Sequence, residues 1–227
     1  MQNIIAAKNL SKTYGKKDSL FIALNNVDIE IRQGESIAII GKSGSGKSTL
    51  MHLLALLDTP SNGEIIIGDK SASKFTMRQK DRLRNKYFGF VFQQFFLNAN
   101  NSVLDNVILP LKISGINRRE RIRRGKQALE DVELTDKANN RAINLSGGQK
   151  QRVVIARALI NDPKIIFADE PTGNLDSITG RKIEDLLFRL NRTKHITLII
   201  VTHDEDIAKR CDRQIKIKDG HIQKVTN

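Results

Sequence analysis

The sequence has one cysteine and no long apolar segment. Because Cys211 stands alone among 227 residues, the chain cannot form an internal disulfide or a cysteine metal cluster, and a reducing, cytoplasmic setting fits. The apolar runs at 36–40, 51–57 and 198–201 fall far short of the roughly 20 residues that a membrane-spanning helix needs. The N-terminus also lacks the basic start and apolar run of a signal peptide. These absences exclude an integral membrane protein.

The sequence also has no internal repeat and no low-complexity tract. Hydrophobic residues make up 39% and charged residues 28%, which is typical of a globular chain. A chain of 227 residues is long enough for one large domain, or for one domain with a small inserted subdomain. The 38 Lys and Arg against 25 Asp and Glu give a net charge of +13. This charge permits a nucleotide, a nucleic acid or an anionic lipid surface as partner and does not choose among them.

Short β-rich runs alternate with helical stretches along most of the chain. Residues 27–31 alternate apolar and charged side chains, as a half-buried strand does, and residues 36–40 form the continuous β-branched run of a buried central strand. A glycine-rich turn and a helix over about 47–57 follow. The same alternation predicts helices over about 148–161 and 177–193, and strands over 164–168 and 196–202. This order predicts an α/β fold with a mostly parallel sheet covered on both faces.

The segment between about 76 and 142 differs in character from the rest. It contains heavily charged helical stretches, including 77–84 and 117–132. We interpret the segment as a helical insertion in the α/β chain.

A phosphate-binding motif provides the strongest indication of function. The run Gly41-Lys42-Ser43-Gly44-Ser45-Gly46-Lys47-Ser48 matches G-x-x-x-x-G-K-[ST], with a predicted strand before it and a predicted helix after it. Its glycines let backbone N–H groups close around phosphate oxygens, and the helix N-terminus adds favourable charge. Lys47 would reach the β- and γ-phosphates, and the Ser48 hydroxyl would bind Mg²⁺. We therefore assign residues 41–49, including Thr49, to a nucleotide site.

Two carboxylates follow the predicted strand at 164–168. Asp169 and Glu170 would lie at the carboxyl edge of the sheet, where ligand sites of α/β proteins form. Asp169 suits the Mg²⁺ shell, and Glu170 suits polarising the water that attacks the γ-phosphate. An apolar strand followed by Asp-Glu is common by itself, so the assignment depends on the upstream phosphate loop.

A third motif indicates a family. Leu145-Ser146-Gly147-Gly148-Gln149 lies before a predicted helix, and Ser146 is 23 residues before Asp169. With this pentapeptide the chain resembles the ATP-binding cassette (ABC) ATPases, for which it is the signature. The resemblance covers essentially the whole chain. It implies a P-loop NTPase core with an N-terminal antiparallel β portion, in a single domain over 1–227 with a helical subdomain at roughly 90–145.

The resemblance also assigns roles to four further residues. Tyr14, in a polar turn, corresponds to the adenine-stacking aromatic, with half-buried packing as the alternative. Gln93 corresponds to the glutamine that links Mg²⁺ or the lytic water to the helical subdomain, with Gln94 as the alternative. His203, after the strand at 196–202, corresponds to the switch histidine at the γ-phosphate, with a structural role as the alternative. Asp176 belongs to the loop that crosses the dimer interface.

The resemblance implies a mechanism shared between two copies of the chain. Two cassettes dimerise head to tail, and the signature residues Ser146 and Gly148 of one copy close over MgATP held by the other. A transporter would then need separate integral membrane permease subunits, which would hold the chain at the cytoplasmic face of the membrane. The segment 93–103 would contact such a subunit through Phe95 and Phe96, with subdomain core as the alternative role of these two residues.

Three classes of function follow from these motifs. The runs 90–95 and 168–176 are similar to the macrolide-exporter, lipoprotein-release and antimicrobial-peptide-resistance branch, which predicts the ATPase of a transport complex. A mechanical or regulatory ATPase of cell-division type uses the same motifs. A nucleic-acid ATPase is disfavoured, since the chain has no nucleic-acid motif and no room for a second cassette. The basic cluster at 118–126 is interpreted as a solvated helix face, or else as a contact to anionic headgroups or to the membrane partner.

Overall fold

A computed structural model of the chain describes residues 2–16 and 19–226; residues 1, 17, 18 and 227 of the predicted domain lie outside them. The strands are β1 (Asn3–Tyr14), β2 (Phe21–Arg32), β3 (Ser36–Ile40), β4 (Asn62–Ile67), β5 (Lys70–Ser71), β6 (Phe88–Phe92), β7 (Ile165–Asp169), β8 (Thr197–Thr202), β9 (Arg213–Lys218) and β10 (His221–Thr226). The helices are α1 (Lys47–Leu54), α2 (Met77–Tyr87), α3 (Val103–Val107), α4 (Leu109–Ile113), α5 (Arg118–Asp131), α6 (Gly147–Leu159), α7 (Ser177–Lys194) and α8 (Glu205–Arg210).

A six-stranded sheet with the order β10-β9-β3-β8-β7-β6 forms the centre of the fold. Its strands are parallel from β9 to β6, and only β10 runs antiparallel to its neighbour. Strands β3, β7 and β8 are almost wholly buried, because continuous apolar runs can be covered on both faces. The predicted mostly parallel α/β fold is confirmed.

An antiparallel sheet with the order β2-β1-β4-β5 packs beside this centre. The predicted strand at 27–31 is the alternating half of β2, and its buried positions face a core shared with β3 and α1. The predicted N-terminal antiparallel β portion is therefore confirmed. Among the described residues, no helix has the length and hydropathy required to cross a bilayer.

Helices cover the opposite face of the central sheet around a second core. Side chains of α3, α5, α6 and α7 pack there against β7 and β8. The two charged stretches predicted to be helical correspond to α2 and α5, and Asn117 caps α5 through its side chain. The interpretation of 76–142 as a helical insertion missed β6, which forms the edge of the central sheet beside β7.

The carboxyl ends of the parallel strands determine where the functional groups meet. Strands β3, β8 and β7 are consecutive neighbours and end at Ile40, Thr202 and Asp169. The segments that follow them begin with Gly41, His203 and Glu170. Because parallel strands end at the same edge, three distant parts of the sequence converge there.

Candidate functional site

The phosphate loop connects β3 to α1 at this edge. Gly46, immediately before α1, has a φ of 104°, and a Cβ at this position would collide with the carbonyl oxygen of Ala23. Only glycine suits such a position. The loop borders a cavity of about 230 Å³ that is lined by Phe21, Ala23, Ser43, Gly44, Gly46, Lys47, Ser48 and Thr49.

The Lys47 ammonium group lies inside the loop. Its Nζ donates hydrogen bonds to the carbonyl oxygens of Gly41, at 2.9 Å, and Lys42, at 3.0 Å. A bound phosphate would compete with two neutral carbonyl acceptors for this cation, and charged acceptors form the stronger bonds. Lys47 is thus held where an anion in the loop can engage it.

Asp169, the last residue of β7, lies against the start of α1. Burial raises the pKa of its carboxyl above the ordinary value, the neighbouring Glu170 adds to this, and His52, Lys47 and a hydrogen bond from the Ser48 hydroxyl partly oppose it. A hydroxyl and a carboxylate in contact are the protein ligands that Mg²⁺ uses together with substrate phosphates. Within the described ranges, no group of three or more His, Cys, Asp or Glu side chains is arranged to hold a metal ion.

Glu170 and His203 form a pair above the ends of β7 and β8. The Nδ1 atom of His203 lies 2.9 Å from Oε1 of Glu170. Glu170 has a φ of 46°, an uncommon conformation for a residue with a side chain, and its N–H donates to the Val201 carbonyl. The backbone holds this carboxylate in a conformation of the kind that concentrates at functional sites.

Gln93 follows β6 and contacts the loop after Glu170. Its Nε2 donates to Oδ1 of Asn174 at 3.3 Å, and Nδ2 of Asn174 donates to the Gln93 carbonyl at 2.8 Å. The sequence pointed to Gln93 and placed Asn174 in the predicted dimer-interface loop, but it did not predict their contact, because the two residues lie 81 positions apart along the chain. Gln94 makes no such contact among the described residues and is exposed.

Tyr14 is the last residue of β1, so its placement in a polar turn was wrong. The residue is 40% exposed, and its hydroxyl donates to Oδ2 of Asp58 at 2.8 Å. The Lys12 ammonium group lies 4.8 Å from the ring centroid and donates to Oδ1 of Asp58 at 2.7 Å. Burial, followed by the Asp58 hydrogen bond, raises the pKa of Tyr14. Lys12 and Asp58, which sequence reasoning missed, fix the orientation of an accessible aromatic ring.

The signature segment lies at the N-terminus of α6. Ser146 is the N-cap: its Oγ accepts from the Gln149 N–H, and the Gln149 side chain accepts from the Ser146 N–H. Leu145 is buried, and a Cβ on Gly148 would collide with Thr179 of α7. No hydrogen bond between described residues joins 145–149 to the phosphate loop. The structure thus brings residues 41–49, 169–170 and 203 together and leaves the signature outside that group.

Asp176 ends the loop that follows Asn174. Its carboxylate caps α7 by accepting from the Thr179 N–H at 2.9 Å, and this bond lowers its pKa. The loop thereby contacts Gln93 at one end and begins α7 at the other.

Comparison with known proteins agrees with this architecture. The profile of the ABC transporter family matches residues 24–173. The lipoprotein-releasing system ATP-binding protein LolD of Syntrophus aciditrophicus is 44% identical over 96% of this chain and 98% of its own length. The macrolide export ATP-binding/permease protein MacB of Nitrosomonas europaea is 46% identical over 96% of this chain, which spans 33% of that larger protein.

Solved structures agree as well. A dimeric post-hydrolysis state of the ATP-binding cassette MJ0796, bound to ADP and Pi, superposes with a TM-score of 0.89 at 41% identity, covering 98% of both chains. Motifs, fold and relatives lead to one assignment: the chain belongs to the ABC transporter family, as a nucleotide-binding ATPase subunit.

Proposed function

We propose that this chain hydrolyses ATP as a dimer and powers a membrane complex of the exporter or mechanotransmission type. The observation that carries the proposal is the separation of two halves of a site. Lys47, Asp169 and Glu170 meet at one edge of the sheet, whereas Ser146 begins a helix elsewhere. A second copy is needed to bring the two halves together.

Binding begins at the phosphate loop. The N–H groups of residues 43–49 and the N-terminus of α1 would hold the phosphates, and Lys47 would exchange its two carbonyl acceptors for the β- and γ-phosphates. The adenine would stack on the exposed ring of Tyr14. The Lys12 and Asp58 contacts hold that ring in place, which reduces the entropy lost on stacking.

Mg²⁺ fits the oxygen atoms of Ser48 and Asp169, with Gln93 as a further ligand in its predicted role. When bound, the ion would neutralise charge that develops on the phosphate oxygens. The pKa of Asp169 is raised when no cation is bound. A bound cation would lower this pKa, because a positive charge beside a carboxylate favours its ionised form.

Hydrolysis requires a positioned water molecule. Glu170 would accept a hydrogen bond from that water and then take its proton as the water oxygen bonds to the γ-phosphorus, while the bond to the bridging oxygen breaks and ADP departs. The proton then passes from Glu170 to solvent as phosphate is released. His203, which now contacts Glu170, would turn toward the γ-phosphate; its side chain is 77% exposed and free to do so. Catalysis is then chiefly positioning and charge stabilisation.

ATP would join the two copies. Ser146 and Gly148 would close over the γ-phosphate bound to the other copy, with the N-terminus of α6 directed at the anion. Hydrolysis removes this anion from the interface and releases the closed state. The dimeric structure of MJ0796, a cassette 41% identical to this chain, supports the arrangement.

The groove beside β6, lined by residues of α2, β6, α4 and α6, supports the proposed membrane partner. It has a volume of about 370 Å³ and includes Phe90, Phe92, Pro110 and Arg157 in its wall. Phe96 lies next to it, 65% exposed, with its ring against Phe92, whereas Phe95 packs partly into the helical core. Phe95 thus fits the alternative role in the subdomain core, and Phe96 is the member of the pair that is exposed for the proposed contact. An exposed aromatic beside an apolar groove is suited to anchor a helix of a permease subunit.

The similarity to LolD and MacB supports a transport complex over the alternative, a cell-division type of ATPase acting through a membrane partner without transport. In either case the chain would lie at the cytoplasmic face of the membrane, held there by its integral membrane partner: permease subunits for a transport complex, or the non-transporting partner for the alternative. The experiment that separates the alternatives is recovery of the tagged chain from native membranes, followed by identification of the integral subunit and its extramembrane domains. Phe96→Glu should abolish recovery of the integral subunit with the tagged chain. Val225→Glu, an exposed apolar position on the opposite edge strand β10, is the matched control.

The dimer mechanism has its own test. Glu170→Gln should bind ATP without turning it over, so that its mass in solution changes from monomer to dimer only when ATP is present. A variant that stays monomeric with and without ATP, in the presence of the membrane subunit, would refute the shared site.

A further inference from the structure

Gln151 is a buried polar residue on α6, five positions after the signature serine. It is 1% exposed, and the other buried side chains of α6 are apolar. Its Nε2 donates to the Pro171 carbonyl at 2.6 Å and reaches the Phe92 carbonyl at 3.4 Å. Its Oε1 has no hydrogen-bond partner among the described residues.

The two carbonyl groups belong to the segments that hold the reacting groups. Pro171 directly follows Glu170, and Phe92 directly precedes Gln93. A single amide on the signature helix therefore contacts the chain next to both residues. The reciprocal pairing of Gln93 with Asn174 ties the same two segments together a second time.

Burying an amide at this position costs more free energy than burying an apolar side chain of the same size. Burying a polar group costs free energy unless it is hydrogen-bonded, and an unpaired buried acceptor adds to that cost. An apolar side chain of similar size would fill the same volume without it. The position therefore calls for an explanation other than packing.

We propose that Gln151 is a positioning residue that fixes Glu170 and Gln93 relative to the signature helix. This inference rests on the proposed function, because it takes the roles of those two residues from there. When α6 engages the ATP of the second copy, Gln151 keeps the lytic carboxylate and the glutamine loop in register with the signature. Without the amide, the dimer still closes on ATP, but the groups that act on the water are misplaced.

The test compares two buried amides of the same chemistry. Gln151→Met removes the amide with little change in volume. Asn191→Leu is the matched control, because Asn191 on α7 also donates to two carbonyls, those of Ile196 and Gly34, far from the proposed catalytic groups. We expect Gln151→Met to keep wild-type ATP affinity and to lose kcat by a factor on the order of 10 to 100, the effect of a misplacement of about 1 Å. Asn191→Leu should lose thermal stability and keep kcat.

A second measurement separates positioning from general loosening. Gln151→Met should accumulate an ATP-bound dimer, as Glu170→Gln does, since binding and closure are intact while hydrolysis is slow. A kcat within twofold of wild type, or a lower kcat without the trapped dimer, would overturn the inference. If Gln151→Met does not fold, kcat and dimer trapping are measured for Gln151→Glu instead. In that variant a carboxyl oxygen replaces the amide nitrogen that donates to the two carbonyls. Failure of Glu170→Gln itself to trap a dimer, in the presence of the membrane subunit, would instead refute the proposed function.

Discussion

The Nδ1 atom of His203 lies 2.9 Å from Oε1 of Glu170, across the ends of two adjacent parallel strands. The histidine is exposed, whereas the carboxylate is held by a backbone in a left-handed conformation. The imidazole is therefore the less constrained member of the pair. In the proposed mechanism an arriving γ-phosphate would draw it away and leave Glu170 free to accept a hydrogen bond from water.

The first prediction tests this exchange of partners. His203→Ala should retain ATP binding, which depends on the phosphate loop, and should lower kcat by roughly 10²-fold or more, the scale of a positioned proton-transfer group. Steady-state hydrolysis together with a nucleotide-binding titration measures both quantities. His221→Ala, on exposed β10, is the control. Equal kcat in the two variants would assign His203 a merely structural role.

The second prediction concerns the cation of the phosphate loop. Lys47→Ala removes charged hydrogen bonds to phosphate worth about 1.5–3 kcal/mol, so ATP affinity should fall by roughly 10- to 100-fold. Lys182→Ala, on the exposed face of α7, removes the same charge without touching the loop and should bind normally. Calorimetric titration of the two variants is the measurement. Unchanged affinity in Lys47→Ala would show that the carbonyl contacts seen here are its only role.

Contacts between residues close together in the sequence could be predicted, whereas contacts between residues far apart could not. The phosphate loop and the Asp169-Glu170 pair are local patterns beside a strand, and both were placed at the correct edge of the sheet. Strand β6 was not predicted, because it has only five residues and follows the charged helix α2 without an intervening turn. The contact of Tyr14 with Asp58 joins residues 44 apart, and only tertiary structure brings them together. The half of the proposed site formed by Ser146 would need a second chain, so its role was inferred from resemblance.

The third prediction concerns the signature. Ser146→Arg should leave ATP binding to the monomer intact and prevent ATP-driven dimerisation of the Glu170→Gln protein, because a bulky cation occupies the surface that must close. Loss of the cap also costs about 1 kcal/mol of helix stability. Thr76→Arg matches this cost, since Thr76 caps α2 through the same reciprocal bonds with Gln79. Light scattering with and without ATP should show a dimer for the control only.

The fourth prediction is a pH dependence at the proposed adenine site. Partial burial raises the pKa of Asp58, but the hydrogen bonds from Lys12 and Tyr14 outweigh this and hold the pKa below its ordinary value. The carboxylate therefore contributes stability above the unfolded-state pKa of about 3.9, and this contribution is lost as pH falls through the lower, folded-state pKa.

Asp58→Asn should accordingly be less stable than wild type by at most about 1 kcal/mol at pH 7, since the pair is partly exposed and screened. The difference should shrink below pH 4. Denaturant unfolding over a pH series measures it. A difference that is independent of pH would mean that shape, and not charge, holds Tyr14.

The fifth prediction links the C-terminal hairpin to nucleotide binding. The turn between β9 and β10 is hydrogen-bonded to the phosphate loop. The Gly220 N–H donates to the Ser45 carbonyl at 3.0 Å, and the Gly220 carbonyl accepts from the Asn25 N–H at 2.9 Å. Gly220 has a φ of 76°, and a Cβ there would approach the Ala23 carbonyl to 3.1 Å. Gly220→Ala should therefore strain both the turn and the loop that it supports.

Gly115→Ala provides the matched control for this change. Gly115 has a φ of 72° and nothing within 4 Å of an added Cβ, so it carries the same backbone penalty of about 1 kcal/mol without contact to the phosphate loop. Both variants should lose stability in denaturant unfolding, and Gly220→Ala somewhat more because of its close approach to Ala23. Only Gly220→Ala should also lose ATP affinity, by several-fold, because the Ser45 carbonyl and the loop N–H groups beside it shift. If both variants bind ATP equally well, the hairpin does not position the loop, and the Gly220 contact serves the fold alone.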